Sequence, residues 1–433
     1  MINSPQTATN PRIGLFFSYD WNTLAFNRLS QQFTWEEAGF DLFSFPGNLR
    51  LIGFDLDRFA ERQERRARQR GWVAVLSHHE QFGALAAALV AERLGLPGTP
   101  VTAVLACQHK LYARRVMQQV CPEASVAFSE LDTEYGGPIP TDLQYPTYVK
   151  PVKAAFSVLA RQVKHREDLI AHTRFGRHEL WVIRRLVEPF ERIVRIRLPE
   201  AGTAHRLLLE EPIQAAQYNL DGWVFNGQTH ALGTVDAIMY PGTQAFMRWQ
   251  FPSQLPKEVQ AQALAVAHRF LQAVGFTHGM FNMEFFYDAA TGRLSVIEFN
   301  PRLASQFSDL YRRVLGVDPH AMSVALALNQ DPAKLAREKA RAGAAASLVY
   351  RTFTPGAAPP MPSPAQKAAL QRRFPDAMLY TYPKSGHSLT RDFKWLGNHR
   401  YGIVHLDGED EAHLRQRAEE ASAIIGWPVP YLE

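Results

Sequence analysis

Glu284 stands in the run Gly279-Met-Phe-Asn-Met-Glu-Phe-Phe, and Glu298, Asn300 and Arg302 stand in Val296-Ile-Glu-Phe-Asn-Pro-Arg. Side chains on an extended strand alternate between faces, so Glu298 and Asn300 share one face while Ile297 and Phe299 turn to a core. Met280, Asn282, Glu284 and Phe286 share a face of the preceding strand. A turn containing Asp288 and Gly292 folds the two strands into a hairpin. Pairing Asp288 with Leu294 sets Glu284 across from Glu298, and a slip of one residue would separate them. Two carboxylates and an amide oxygen on one face repel unless a cation lies between them. Oxygen-only donors suit Mg2+ or Mn2+, and Mg2+ takes one or two carboxylates together with substrate phosphates. Arg302 is placed to neutralise a transferring phosphoryl group. A solvated polar strand face is the plainer reading, and the apolar and aromatic neighbours weigh against it.

Other residues join this set with less force. Lys150 lies between Val149 and Pro151 in an apolar strand, where an unpaired ammonium is costly, so a ligand role is expected. Lys110, Arg114 and Arg115 share a helix, and each alone reads as a solvated charge. Glu210-Glu211 reads equally as a helix-start acidic pair or as a ligand contact. His78-His79-Glu80 reads as a strand end that lines a site or caps the next helix. Arg248, inside the aromatic run Phe246–Phe251, is a candidate for a substrate carboxylate.

The elements that must position these residues alternate at first between strand and helix. Arg12–Phe17, Phe40–Phe45 and Trp72–Ser77 read as strands. Asp20–Phe33, Asp55–Arg70 and Gln81–Leu94 read as helices, which implies a parallel sheet. No GxGxxG follows the first strand. Cys107–Val120 reads as one helix, and the Gly- and Pro-rich stretch Thr133–Pro146 as a boundary. Beyond it come a strand over Pro146–Val152, a mostly helical Arg166–Leu198 and a strand over Arg206–Leu209. Strands at Trp223–Phe225 and Leu232–Ile238, a helix over Lys257–Val274 and the hairpin follow. Residues 357–364 read as a proline-rich linker. Tyr380–Glu433 reads as short strands followed by a helix from Glu409 to Ile425.

Composition narrows the class. The 433 residues are 46% hydrophobic and 21% charged, an ordinary globular balance. The net charge of +5 is scattered rather than striped, so no nucleic-acid partner is expected, while an anionic small molecule is suited. Cys107 and Cys121 have no zinc spacing and read as reduced thiols. The polar segment Met1–Pro11 lacks the pattern of a signal peptide, and no apolar run approaches the ~18 residues of a membrane span. A cytoplasmic protein is expected.

Gly279–Arg302 resembles the ATP-grasp signature, in which a strand bearing Glu precedes a strand reading Ile-Glu-x-Asn-Pro-Arg. Gln108-His-Lys-Leu-Tyr-Ala-Arg114 is similar to the family's Asp-Lys-x-x-x-Arg helix, with His109 in place of Asp. Val149-Lys-Pro-Val152 resembles its lysine strand, and Leu209-Glu-Glu-Pro-Ile213 its adenine and ribose segment. Glu92–Gly98 resembles the helix ending that precedes the first lysine. The segment Lys153–Ala160 has no glycine where the family's phosphate loop is glycine-rich, so Ser157 and Lys153 would have to compensate.

The resemblance implies an α/β ATP-grasp fold. Its parts would be an N-terminal parallel-sheet domain (11–115), a mobile lid (116–209), a catalytic lobe (210–338) and a small C-terminal α+β unit (345–433). It implies ATP bound by Lys110, Lys150, Ser157, Glu210, Glu211 and Ile213, and metal held by Glu284, Glu298 and Asn300. Lys150 and Arg302 would serve catalysis. The implied activity joins small-molecule carboxylate and amine substrates through an acyl phosphate, releasing ADP and phosphate. A biotin-carboxylase-like enzyme and a non-catalytic ATP-binding protein are the alternatives. No nucleic acid or membrane partner is implied, and a homodimer is compatible with the reading.

Overall fold

The computed structural model describes residues 10–40, 53–154, 159–356 and 359–432. Among these residues the architecture is mixed α/β with three sheets. The first is parallel, with Arg12–Phe16 between Thr34–Ala38 and Trp72–Leu76. Its second strand differs from the expectation at Phe40–Phe45, of which residues 41–45 lie outside the described residues. The observed edge strand Thr34–Ala38 carries two adjacent carboxylates, Glu36 and Glu37, and Glu36 pairs with Arg66 at 3.0 Å. Asp55 caps the helix Leu56–Arg70, and Gly95, at φ +66°, ends the helix Gly83–Leu94.

The expected single helix over Cys107–Val120 is two, Val101–Gln108 and Lys110–Val120. The break falls at His109, whose φ and ψ of −89° and 89° are not helical and whose ring accepts from the Tyr112 amide at 3.2 Å. Lys110 thereby opens a helix instead of sitting in the middle of one. Arg166–Leu198 is likewise divided, into Arg166–Thr173 and Arg177–Arg197.

A four-stranded antiparallel sheet runs in the order Phe128–Leu131, Leu207–Glu210, Thr147–Pro151, Arg161–Val163. The largest sheet has eight antiparallel strands, and the hairpin Gly279–Asp288 and Arg293–Asn300 forms one edge. Ala216–Phe225, Gln228–Met239 and Phe246–Phe251 continue it. Ala344–Thr352, His399–Gly408 and Met378–Thr381 complete it, so C-terminal strands extend the sheet that carries the hairpin. Near the hairpin, one face packs Leu220, Met283, Phe285 and Phe299 on the helix Lys257–Ala273, with Phe270 stacked on Phe299 at 4.0 Å. The opposite face is polar. Among the described residues, no helix is long and apolar enough to cross a membrane.

Candidate functional site

Glu284 does stand opposite Glu298, and Asn282 opposite Asn300, but by a route the strand pattern does not reveal. At the turn Asp288 pairs with Arg293 rather than Leu294, which carried on regularly would place Ile297 across from Glu284. A β-bulge between the Phe285–Val296 and Glu284–Glu298 pairs takes up one extra residue and restores the carboxylates to one face. Arg114 secures the bulge. Its guanidinium donates to the carbonyls of Val296, at 2.6 Å, and Ile297, at 2.7 Å, and also to the Glu210 carboxylate. One buried arginine therefore reaches the helix Lys110–Val120, the four-stranded sheet and the hairpin.

The polar face is densely bonded. Glu284 accepts from Gln217 at 3.0 Å and from Asn300 at 3.3 Å. Asn300 also donates to Asn282 at 3.1 Å, and Asn282 to Asp221 at 3.0 Å. Glu298 pairs with Lys110. Burial acts to raise the pKa of both glutamates, and their neighbours then separate them. Around Glu298, Lys110 and Lys150 outweigh burial and hold it below the usual carboxylate range. Glu284 is pushed well above that range by burial, reinforced by Glu298 and Glu80. Among the described residues Glu284 has no ion-pair partner, a deficit that a divalent cation would remove. The donors are two carboxylates and an amide oxygen, which fits Mg2+. Among the described residues no group of three or more His, Cys, Asp or Glu could hold a metal alone, so phosphate or water oxygens would have to complete the shell.

Cations surround this face. Lys150, on Thr147–Pro151, contacts Glu210 at 2.7 Å, and burial lowers its pKa. Arg302 pairs at 2.8 Å with Glu80, just beyond the C-terminal end of the parallel strand Trp72–Leu76. Lys110 also donates to the Ala154 carbonyl at 3.2 Å. Lys110, Lys150, Glu210, Glu284, Glu298, Asn300 and Arg302 are therefore brought together. An anion between charges of this kind meets oriented donors in a water-poor setting, where they act strongly.

Other expected residues fall elsewhere. Glu211 takes the Ala127 amide, at 3.1 Å, and Arg293, and does not reach Lys150. Ile213 is half-buried in the link to Ala216–Phe225. Ser157 lies outside the described residues. Arg248 is not brought to the site. Register puts Trp249 on the face shared with Glu284, so Arg248 points to the other side, 3.9 Å from the Tyr431 ring centroid. His78 bonds Ser323 at 2.9 Å and His79 stacks on Tyr19 at 4.8 Å; burial lowers the pKa of both rings. Gln217, Asn219 and Asp221 escaped the sequence reading because their strand begins at Ala216, well before the expected Trp223. Their period-two spacing was the available signal.

Residues 143–309 match the model of the ATP-grasp domain. Carnosine synthase 1 of Gallus gallus is 29% identical over 295 residues, which are 64% of this chain and 30% of that protein. D-alanine--D-alanine ligase of Synechococcus sp. (strain RCC307) is 28% identical over 177 residues, 38% of this chain and 44% of that protein. The chain thus spans less than half the length of either relative. Among solved structures, the L-amino acid ligase from Bacillus licheniformis superposes with a TM-score of 0.69 at 16% identity, covering 96% of this chain and 97% of that one. Biotin carboxylase from Campylobacter jejuni gives 0.60 at 14% identity, covering 95% and 91%. At these identities the likeness is one of fold.

Proposed function

We propose, from the premise that the chain carries an ATP-grasp domain and adopts the ATP-grasp fold, that it is an ADP-forming carboxylate–amine ligase. The observation that carries this reading is the register of the hairpin, which sets Glu284, Glu298 and Asn300 on one face beneath Lys110, Lys150 and Arg302. In this reading Glu284, Glu298 and Asn300 hold Mg2+, which supplies charge neutralisation at the phosphate chain. Lys110 and Lys150 hold phosphate oxygens, with Glu210 keeping Lys150 in place. A substrate carboxylate oxygen bonds to the γ-phosphorus of ATP as the bond to the β–γ bridging oxygen breaks and ADP leaves. Arg302, steadied by Glu80, compensates charge on the transferring group. An amine then attacks the acyl carbon, phosphate departs and the amine's proton passes to solvent. Catalysis of this kind is mostly positioning and electrostatics. The division at 11–115, 116–209, 210–338 and 345–433 is kept as part of the proposal, with the nucleotide between the second and third parts.

The test is a screen of carboxylate and amine pairs in which the spent nucleotide and products are identified. ADP and phosphate equal to the ligated product, with an acyl hydroxamate trapped by hydroxylamine, are expected. AMP and pyrophosphate would overturn the acyl phosphate route. Bicarbonate-dependent turnover requiring biotin would replace the ligase by a carboxylase.

A further inference from the structure

We propose that Lys153 is a third lysine ligand of the nucleotide's phosphate chain, beside Lys110 and Lys150. The inference rests on the ATP-dependent reading above and adds to it a residue outside the signature motifs. Lys153 follows the strand Thr147–Pro151 by two positions and is 2% exposed. Its ammonium donates to the Gln108 side-chain oxygen at 3.0 Å and lies 4.8 Å from the Phe190 ring centroid. Gln108 is fixed in that orientation because its amide nitrogen donates to the Glu80 carbonyl at 2.7 Å.

The neighbouring cations give the comparison. Lys110 has Glu298, Lys150 and Arg114 share Glu210, and Arg302 has Glu80. Among the described residues, Lys153 has no carboxylate within ion-pair distance. A buried ammonium held only by a neutral amide and an aromatic face carries a desolvation cost that an arriving anion would offset. The patch also has a second positive member close by. The Lys110 amide donates to the Val152 carbonyl at 3.1 Å, and its ammonium to the Ala154 carbonyl at 3.2 Å. Lys110 is thus tied to the segment on both sides of Lys153. Two lysines in one patch suit a polyanion better than a single carboxylate.

A proton balance supplies an independent readout. Among the described residues, Glu80, Lys110 and Glu298 act on the Lys153 charge, Lys153 in turn acts on His79, and His109 stacks on the same Phe190 ring. Burial lowers the ammonium to about 7, with Lys110 adding to the shift and Glu80 and Glu298 opposing it. Near neutrality part of the nucleotide-free protein therefore holds a neutral amine, and a bound polyphosphate draws a proton onto it.

The experiment is titration calorimetry at pH ~7.5 with the Mg2+ complex of the β,γ-imido analogue of ATP, and with AMP, in two buffers of different ionisation enthalpy. The wild type and Lys153→Met are compared, with Lys153→Gln as a second variant. The methionine protein should unfold no more readily than the wild type, because a buried charge without a counter-ion has been removed. Its affinity for the triphosphate analogue should fall on the order of ten- to a hundredfold, with AMP nearly unchanged. Proton uptake on binding the analogue should shrink in both variants, and proton release from Glu284, common to all three proteins, cancels in the comparison. Equal analogue affinities in wild type and variants would overturn the assignment. An unchanged analogue affinity with a raised KM for the acid would transfer Lys153 to the carboxylate substrate. A wild type that binds neither nucleotide would overturn the ATP-dependent reading itself.

Discussion

Arg114→Lys separates charge from geometry at the bulge. The residue is 4% exposed, and its guanidinium serves three acceptors at once: the Glu210 carboxylate and the Val296 and Ile297 carbonyls. A lysine keeps the positive charge, but one ammonium on a flexible stem cannot reproduce the fork. It retains Glu210 or one carbonyl and leaves the others without a donor. A buried acceptor stripped of its partner costs about 1–3 kcal/mol, so two such carbonyls, after partial relaxation, cost roughly 2–4 kcal/mol. Turnover suffers by a different route. With its carbonyls released, the bulge can migrate along the hairpin, and a regular ladder would put Ile297 opposite Glu284 and turn Glu298 to the other face. Misplacement of about 1 Å at a reacting centre can cost on the order of a hundredfold. Denaturant unfolding should show the stability loss, hydrogen exchange of the hairpin amides should locate it, and hydroxamate formation should report the activity. In a double-mutant cycle with Glu210→Gln, coupling of about 1 kcal/mol or more is expected. If Arg114→Lys lies within about 0.5 kcal/mol of the wild type and turns over fully, the bulge is held by something other than this guanidinium.

Two further outcomes are expected. Glu298→Gln should fold and yet lose nearly all turnover, with Mg2+ no longer enhancing nucleotide affinity; full activity in a steady-state assay would remove the metal assignment. Asp221 supplies a pH dependence. It is fully buried, and burial pushes its pKa up to about 7 against hydrogen bonds from Tyr311 and Asn282 and the charge of Arg302. The folded protein then holds this proton more tightly than the unfolded chain, so the stabilisation is complete below pH ~4 and is lost as pH rises towards ~7. Asp221→Asn should flatten that slope in denaturant unfolding measured across the window, removing a few kcal/mol of variation. An unchanged slope would place the titration elsewhere.

Elements whose signal is local were legible. The helix Leu56–Arg70 carries its own cap, and the helix Lys257–Ala273 its apolar stripe. What escaped depended on contacts distant in sequence. The observed strand Ala216–Phe225 begins before the expected Trp223 because Gln217, Asn219 and Asp221 place polar residues on one face of its first half, where Glu284, Asn282 and Tyr311 bond them. The helix Gly386–Leu396 was missed because it follows directly on turn-like residues, and its Asp392 is held by Lys384 and His399. The break at His109 has no Gly or Pro to announce it.

At the site, period-two alternation groups the carboxylates, yet what places them is the bulge, and the bulge is held by Arg114 from the helix Lys110–Val120. The ion pairs follow the same rule. Lys110 meets Glu298 across 188 positions, Arg114 meets Glu210 across 96, and Arg302 meets Glu80 across 222. Lys110 and Arg114 alone read as surface charges, since burying a cation without its counter-ion is strongly unfavourable. Together they are compatible with burial, because every carboxylate comes from a different element and folding is what joins them. The parallel sheet, the four-stranded sheet and the hairpin can therefore meet in this arrangement only where the charges match. The same match leaves Glu284 and Lys153 with least compensation, one carboxylate driven towards protonation and one ammonium driven towards neutrality. These two groups, of opposite sign, are the least compensated of the set. On the proposed reading, a divalent cation beside Glu284 and a phosphate chain beside Lys153 would offset both at once, and binding of metal and of nucleotide would then be coupled.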